Sequence, residues 1–150
     1  MPTVRRSAHV PYSAAQMFAL VNDVERYPEF LHWCQSARVE RETEGAIEAA
    51  LDIGIGGIHK TFRTRNRLKE PGEEGPGQIA IELIEGPFRH LEGDWTFRDS
   101  TAGGSEVTLD LDYEIRSSPL SMVFAAVFDE VARSQVGAFI KRAAALYGSS

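Results

Sequence analysis

The sequence contains a single cysteine among its 150 residues, so no disulfide bond can form within the chain. Because disulfides belong to oxidising compartments, this favours a reducing one. Long hydrophobic runs are also missing, since the longest apolar run, residues 117–128, is far shorter than the ~20 residues that span a bilayer. Residues 7–16 are too polar to form a signal-peptide core. We therefore expect a cytoplasmic protein whose membrane contact is at most peripheral, at the inner face of the membrane.

Positive charge is in deficit. The chain carries 16 basic and 22 acidic residues, which gives a net charge of −6. This net negative charge disfavours a protein whose main function is to bind nucleic-acid phosphates, and DNA is not an expected partner. A chain of this length is most simply one domain, residues 1–150, and is large enough to enclose a modest cavity.

The hydrophobic pattern has helical spacing near the amino terminus and then alternates. A first strand, residues 3–10, is followed by a capping box, Ser13 to Gln16, that predicts a helix over residues 13–24. Pro28 is expected to open a second short helix. Strict alternation of apolar and polar residues then predicts six more strands of an antiparallel sheet, at about residues 36–43, 47–55, 62–69, 79–83, 91–97 and 107–113.

The carboxyl-terminal segment supplies a cover for the apolar face of this sheet. An amphipathic pattern with many alanines predicts a helix from Pro119 to Gly148, about 42 Å long at ~1.5 Å per residue. The predicted fold class is therefore α+β, with about seven antiparallel strands around one long helix and two short helices after the first strand.

The strand 62–69 is strongly basic on one face, with Arg63, Arg65, Arg67 and Lys69. These residues could contact RNA or an anionic membrane. The simpler interpretation is that they form ion pairs with acidic residues on the neighbouring strands, such as Glu48, Asp52 and Glu82. We favour the second interpretation, because that face has no interleaved aromatic side chains on which bases could stack.

The stretch VNDVERYPEFLHWC, residues 21–34, contains His32 and Cys34 beside a cluster of apolar residues. Catalysis by a thiolate needs a base that a third group orients, and no such group is evident. A metal site needs further ligands at suitable spacing, and none is found, so no metal is expected. Tyr113, Asn66 and Gln135 are the few polar residues expected to point inward, and this scarcity argues against an enzyme.

The remaining interpretation of this stretch is an apolar lid over an apolar cavity. Apolar side chains on an irregular segment near the open end of a sheet fit the entrance of a ligand cavity, although they also fit a plain core. The predicted ligand-binding residues are Tyr27, Pro28, Phe30, Leu31 and Trp33 from the lid, and Phe62, Leu83, Leu91, Trp95, Tyr113, Phe124, Phe128 and Val131 from the sheet and the long helix.

Three motifs resemble those of the coenzyme Q-binding, START-like family within the polyketide cyclase/dehydrase superfamily. The first is Phe18-x-Leu20-Val21-x-Asp23-Val24 followed by Tyr27-Pro28-x-Phe30-Leu31-x-Trp33-Cys34, the second is Gly86-Pro87-Phe88-Arg89-x-Leu91-x-Gly93-x-Trp95-x-Phe97, and the third runs from Phe128 through Phe139 to Arg142-Ala143. The second motif adds Phe88 to the predicted ligand-binding residues.

The resemblance implies a helix-grip fold in which the sheet wraps the carboxyl-terminal helix and leaves an apolar tunnel. It further implies non-catalytic binding of a polyisoprenoid quinone such as ubiquinone, or of a related lipid, in support of respiratory electron transport, with no cofactor required. Two alternatives stay open. Bacterial members of the family block the association of ribosomal subunits, which would make the ribosome a partner, and wider relatives are polyketide cyclases or dehydratases. His32 stands where relatives often carry proline, which leaves a polar contact to a quinone carbonyl open.

Overall fold

A computed structural model describes residues 3–55, 57–72, 75–116 and 121–148 of the chain. Seven antiparallel strands form one sheet in the order β1-β7-β6-β5-β4-β3-β2. The strands are β1 Thr3–Val10, β2 Cys34–Thr43, β3 Ala46–Ile55, β4 Ile58–Lys69, β5 Gly77–Glu85, β6 Phe88–Asp99 and β7 Ser105–Ile115, and the helices are α1 Ala14–Asn22, a 3₁₀ helix Val24–Glu29 and α2 Ser121–Tyr147. The predicted α+β architecture is confirmed.

Helix α1 begins at the predicted capping box. The Gln16 backbone N–H donates to Ser13 Oγ at 3.1 Å, and the Ser13 N–H donates to Gln16 Oε1 at 2.9 Å. Two amide groups that the helix leaves free are thereby satisfied. The cap holds α1 where its buried face packs into the core, including Met17 and Val21.

The expectation that Pro28 opens a second helix is wrong. Pro28 lies inside the 3₁₀ helix Val24–Glu29. The Tyr27 carbonyl accepts the N–H groups of both Phe30 and Leu31, at 3.2 and 2.9 Å, and this closes the turn directly after the proline. The helix therefore ends near Pro28, and the chain reaches Cys34, the first residue of β2, after one short turn.

Helix α2 lies across the inner face of the sheet and buries Phe124, Phe128, Val131, Val136 and Phe139. The predicted start at Pro119 falls outside the described residues. Over its 27 described residues the helix is about 40 Å long at ~1.5 Å per residue, which is enough to reach across the sheet. No helix in the described ranges is both long and apolar enough to cross a bilayer.

The outward arginines of β4 are paired within the sheet. Arg63 Nε lies 2.8 Å from Glu40 and also contacts Glu85, Arg65 Nη2 lies 3.1 Å from Glu48, and Arg67 Nη2 lies 3.5 Å from Glu82. Hydrogen bonding to Arg63 lowers the pKa of the Glu40 carboxyl, so the pair stays charged at neutral pH. These contacts help to fix the strand register, as the sequence predicted. Asp52 instead pairs with Arg38, at 3.5 Å.

One cluster of aromatic rings, which we call the front cluster, closes the sheet against the first turns of α2. Phe88 makes edge-to-face contacts with Phe62, Phe124 and Phe128 at ring-centroid distances of 5.5, 5.8 and 4.8 Å. Tyr113 contacts Phe128 at 4.8 Å. Such pairs add to the free energy gained by burying the rings themselves.

Phe88→Ala is expected to lower the free energy of unfolding by about 3–5 kcal/mol, because it removes a fully buried ring at the centre of the front cluster. Urea denaturation followed by circular dichroism measures the loss. The control is Arg89→Ala at the exposed neighbouring position, which should stay within about 0.5 kcal/mol of the wild type. Equal losses in both variants would show that the Phe88 ring contributes no more to the free energy of unfolding than an exposed side chain does.

Candidate functional site

A cavity of about 100 Å³ lies between the sheet and α2. Its wall is mostly apolar. The lining residues are Val24, Tyr27, Trp33, Ala49, Leu51, Phe62, Thr64, Asn66, Ile81, Leu91, Trp95, Leu109, Leu111, Phe128, Val131, Ala132, Gln135 and Phe139. They come from the 3₁₀ helix, from the loop before β2, from strands β3 to β7 and from one face of α2.

Half of the predicted ligand-binding residues line this cavity. They are Tyr27, Trp33, Phe62, Leu91, Trp95, Phe128 and Val131. Both tryptophans of the chain are among them, and both are almost fully buried.

The other seven lie elsewhere. Phe88, Phe124 and Tyr113 belong to the front cluster, where they fill space that a ligand would otherwise occupy. Leu31 is buried in the core, and Leu83 packs against that core while partly exposed. Phe30 is half-buried and packs against Phe139 and Arg142, and Pro28 is exposed to solvent.

Several lining residues were absent from the predicted set. Ala49, Leu51, Ile81, Leu109 and Leu111 all occupy inward positions of their strands, and the same alternation that predicted the strands could have found them. The prediction favoured large aromatic residues. It therefore missed the small and aliphatic side chains beside which the space remains open, including Ala132 on α2.

Gly93 of the second motif has a packing role in this wall. A Cβ atom at this position would lie 2.7 Å from Leu111 Cδ1 and 2.9 Å from the Asp110 carbonyl oxygen. The missing side chain leaves room for Leu111, which lines the cavity from β7.

Residues 24–33, which we call the cover segment, are held against α2 by one polar contact and several aromatic ones. Arg142 Nη2 donates to Glu29 Oε1 at 2.7 Å, and its guanidinium carbon lies 4.9 Å from the centre of the Phe30 ring. The hydrogen bond from Arg142 lowers the pKa of the Glu29 carboxyl, which keeps the pair charged down to acidic pH. Tyr27 and Phe30 meet the Phe139 ring edge-to-face at 5.4 and 5.3 Å.

His32 and Cys34 do not form a catalytic pair. His32 is exposed and does not line the cavity, so a contact between it and an enclosed ligand is not formed in this arrangement. Burial, together with the charge of Asp52, raises the pKa of the Cys34 thiol to about 12, and the thiol therefore stays protonated at neutral pH. A protonated thiol is a poor nucleophile and a poor metal ligand.

The lining contains no aspartate, glutamate, histidine, lysine or arginine, as far as the described residues show. Tyr27 is the one titratable group there. Its hydroxyl donates to the Val21 carbonyl, and burial raises its pKa well above the ordinary value of tyrosine. Proton transfer at neutral pH needs a group whose pKa lies near that pH, and Tyr27 does not meet this condition.

Three side chains on the outer face of the sheet come closer together than the sequence predicted. His90 Nε2 lies 3.3 Å from Glu92 Oε1 and 3.6 Å from Asp112 Oδ2, because β6 and β7 place Glu92 opposite Asp112. The ligand-type atoms of all three lie within 4.8 Å of one another. Clusters of this kind are common on protein surfaces as ion pairs, and no other feature of this one points to a metal.

Together these features define a helix-grip protein with an internal, mostly apolar cavity. Residues 10–140 match the family described as "Polyketide cyclase / dehydrase and lipid transport", and the chain belongs to this family. This confirms the START-like membership that the motifs predicted.

Two curated relatives carry different names. The chain is 40% identical to the "Ribosome association toxin RatA" of Escherichia coli (strain K12) over 149 residues, which cover 99% of this chain and 91% of that protein. It is 30% identical to the "Coenzyme Q-binding protein COQ10 homolog B, mitochondrial" of Xenopus laevis over 141 residues, which cover 91% of this chain and 56% of that one.

Among solved structures, the Zhui aromatase/cyclase from Streptomyces sp. R1128 superimposes with a TM-score of 0.79. The match covers 95% of this chain and 93% of that one at 18% identity. At this level of identity the likeness shows a shared fold.

Arg142→Met should loosen the cover segment, because it removes the ion pair with Glu29 and the cation over the Phe30 ring while keeping most of the aliphatic stem. Hydrogen exchange is the measurement, and the Leu31 and Cys34 amides, which bond to the Tyr27 and Leu31 carbonyls, are expected to exchange about 3- to 10-fold faster. The control is Arg133→Met, which removes an ion pair to Asp129 within the same helix. Similar exchange rates in both variants would show that Arg142 does not hold the segment.

Proposed function

We propose that the protein binds a hydrophobic ligand without transforming it, and that this ligand is an isoprenoid quinone such as ubiquinone or a closely related lipid. The observation that carries the proposal is the cavity between the sheet and α2, whose wall is mostly apolar with a few polar groups. Walls of this composition are typical of sites for apolar small molecules.

The size of the cavity limits how a ligand can enter. At about 100 Å³ it is smaller than the ~150 Å³ engineered protein cavity that takes up benzene, and far below the ~300–1,000 Å³ of common ligand sites. A quinone ring therefore enters only if lining side chains move aside. The cover segment is the natural part to move, because one ion pair and a few ring contacts join it to α2.

The chemistry of the wall supports a non-catalytic role. The polar side-chain groups of its lining residues are two carboxamides, one threonine hydroxyl, two indole N–H groups and the Tyr27 hydroxyl, whose pKa is raised. A cyclase or dehydratase would need an acid or base that exchanges protons near neutral pH. The aromatase/cyclase fold match makes such an enzyme the alternative, and the detection of product from a polyketide substrate would favour it.

The name of the Xenopus relative supports the quinone as the ligand, and a ligand of this kind is dissolved in membranes. For the predicted peripheral membrane contact, the first turns of α2 offer two exposed apolar side chains, Met122 and Val123, which are 82% and 55% exposed. We propose that the protein meets the bilayer there. No cofactor is required by this function.

Tryptophan fluorescence tests the ligand proposal directly, because both tryptophans line the cavity. A benzoquinone with one isoprene unit should quench the emission in a saturable way. Ala132→Leu places three extra carbon atoms in the cavity and should weaken binding at least 10-fold, at a stability cost of about 1–3 kcal/mol. Ala126→Leu, on the exposed side of the same helix, is the matched control and should bind as the wild type does.

Two results would contradict the proposal. One is a purified wild-type protein that yields no isoprenoid quinone on solvent extraction and is not quenched by added quinone. The other is quenching that Ala132→Leu leaves unchanged, since this would place the quinone on the surface.

Action on the ribosome is a second candidate function, favoured by the 40% identity to RatA over nearly the whole chain. The sequence analysis named Arg63, Arg65 and Arg67 as residues that could contact RNA, although it favoured ion pairs within the sheet for them. In the folded chain, however, each of these arginines is bonded to at least one glutamate, and their charges are offset locally.

Sucrose-gradient profiles with added protein test this second candidate, and we expect fewer assembled ribosomes. A triple alanine variant at positions 63, 65 and 67 is expected to act as strongly as the wild type, because its arginines already have partners in the sheet. An unchanged profile with the wild-type protein would contradict the function itself. A profile that changes with the wild type but not with the triple variant would instead restore the basic strand as the contact.

A further inference from the structure

The cavity wall contains a polar group without a partner. Gln135 lies on the inner face of α2, near Val131, Ala132 and Phe139, which also line the cavity. Its Oε1 atom is inaccessible to solvent and accepts no hydrogen bond from any residue that the structure describes.

Two other polar side chains of the wall are on β4. Thr64 Oγ1 donates to Asn66 Oδ1 at 3.0 Å, so these two side chains partly satisfy each other. Both line the same cavity as Gln135. Gln135 Oε1 has no counterpart of this kind, and an acceptor buried without a donor is costly to the folded state. A donor can reach it from the cavity, which Gln135 lines.

We propose that the Gln135 carboxamide hydrogen-bonds an oxygen atom on the ring of the ligand and so selects oxygenated rings over plain hydrocarbons. This inference rests on the proposed function, since it identifies what the cavity recognises. A carboxamide has one acceptor and two donors and can turn either toward the ligand. It can thus accept from a ring hydroxyl or donate to a ring carbonyl.

The position of Gln135 also orients the ligand. The ring oxygen meets α2, while the apolar remainder of the ligand faces the side chains of the sheet, including Leu91 and Trp95. A fatty acyl chain has no ring oxygen to place there, and a fused polycyclic system would need a larger movement of the lining side chains than a single ring does. The class that fits is a single ring bearing hydroxyl or carbonyl oxygen and an apolar substituent.

Titration calorimetry with three probes tests this inference. The probes are a benzoquinone with one isoprene unit, its reduced hydroquinone, and prenylbenzene, which has the same apolar substituent but no ring oxygen. We expect the wild type to bind at least one of the oxygenated probes about 3- to 10-fold more tightly than prenylbenzene, as one net hydrogen bond provides. Gln135→Met, of similar length, should bind all three within about 2-fold of one another, and Arg133→Met should behave as the wild type does.

The outcomes separate this inference from the proposed function. If the wild type binds none of the probes, the proposed function fails. If it binds prenylbenzene as tightly as both oxygenated probes, or if Gln135→Met keeps the preference, the role of Gln135 is refuted while ligand binding stands. The comparison within the wild type needs no substitution, so the test holds even where Gln135→Met does not fold.

Discussion

The packing of α2 onto the inner face of the sheet is the interaction on which the rest of the structure depends. Two rings on the helix organise it. Phe128 joins the front cluster, and Phe139, about 16 Å further along at ~1.5 Å per residue, contacts Trp95 at 5.4 Å and also Tyr27 and Phe30. Between these two rings the helix presents the small side chain of Ala132 and the carboxamide of Gln135. The cavity exists because the helix is held off the sheet by large rings at two points and has less bulk between them.

This arrangement explains how far the sequence could predict the structure. Alternation identifies which side chains of a strand point inward and predicts the strands, and the helical spacing of apolar residues predicts the long helix. It does not identify how far along the sheet a side chain lies. Phe88 and Trp95 share the inward face of β6, yet Phe88 fills the front cluster while Trp95 lines the cavity. That difference depends on which residue of α2 lies opposite each ring. The spacing of residues within one strand does not predict such contacts between distant segments. The second short helix was predicted, but its start was placed at Pro28 and not at Val24. Local spacing does not show that the turn after Pro28 is closed by two bonds to one carbonyl.

The two proposed functions make use of different parts of the molecule. Ligand binding depends on the cavity wall, which is nearly free of charge. An action on the ribosome depends on the outer surface, where the arginines of β4 already have glutamate partners and the overall charge is negative. The relatives at 40% and 30% identity carry different names, one referring to the ribosome and one to coenzyme Q.

Cys34 follows the cover segment directly, and its N–H donates to the Leu31 carbonyl at 2.9 Å. The thiol is buried and its pKa is raised to about 12, so it reacts slowly with alkylating reagents while the segment is closed. Since the sequence has no other cysteine, thiol alkylation of the protein occurs at Cys34 alone. The rate at which this one sulfur becomes modified measures how often the chain at the end of the cover segment opens to solvent.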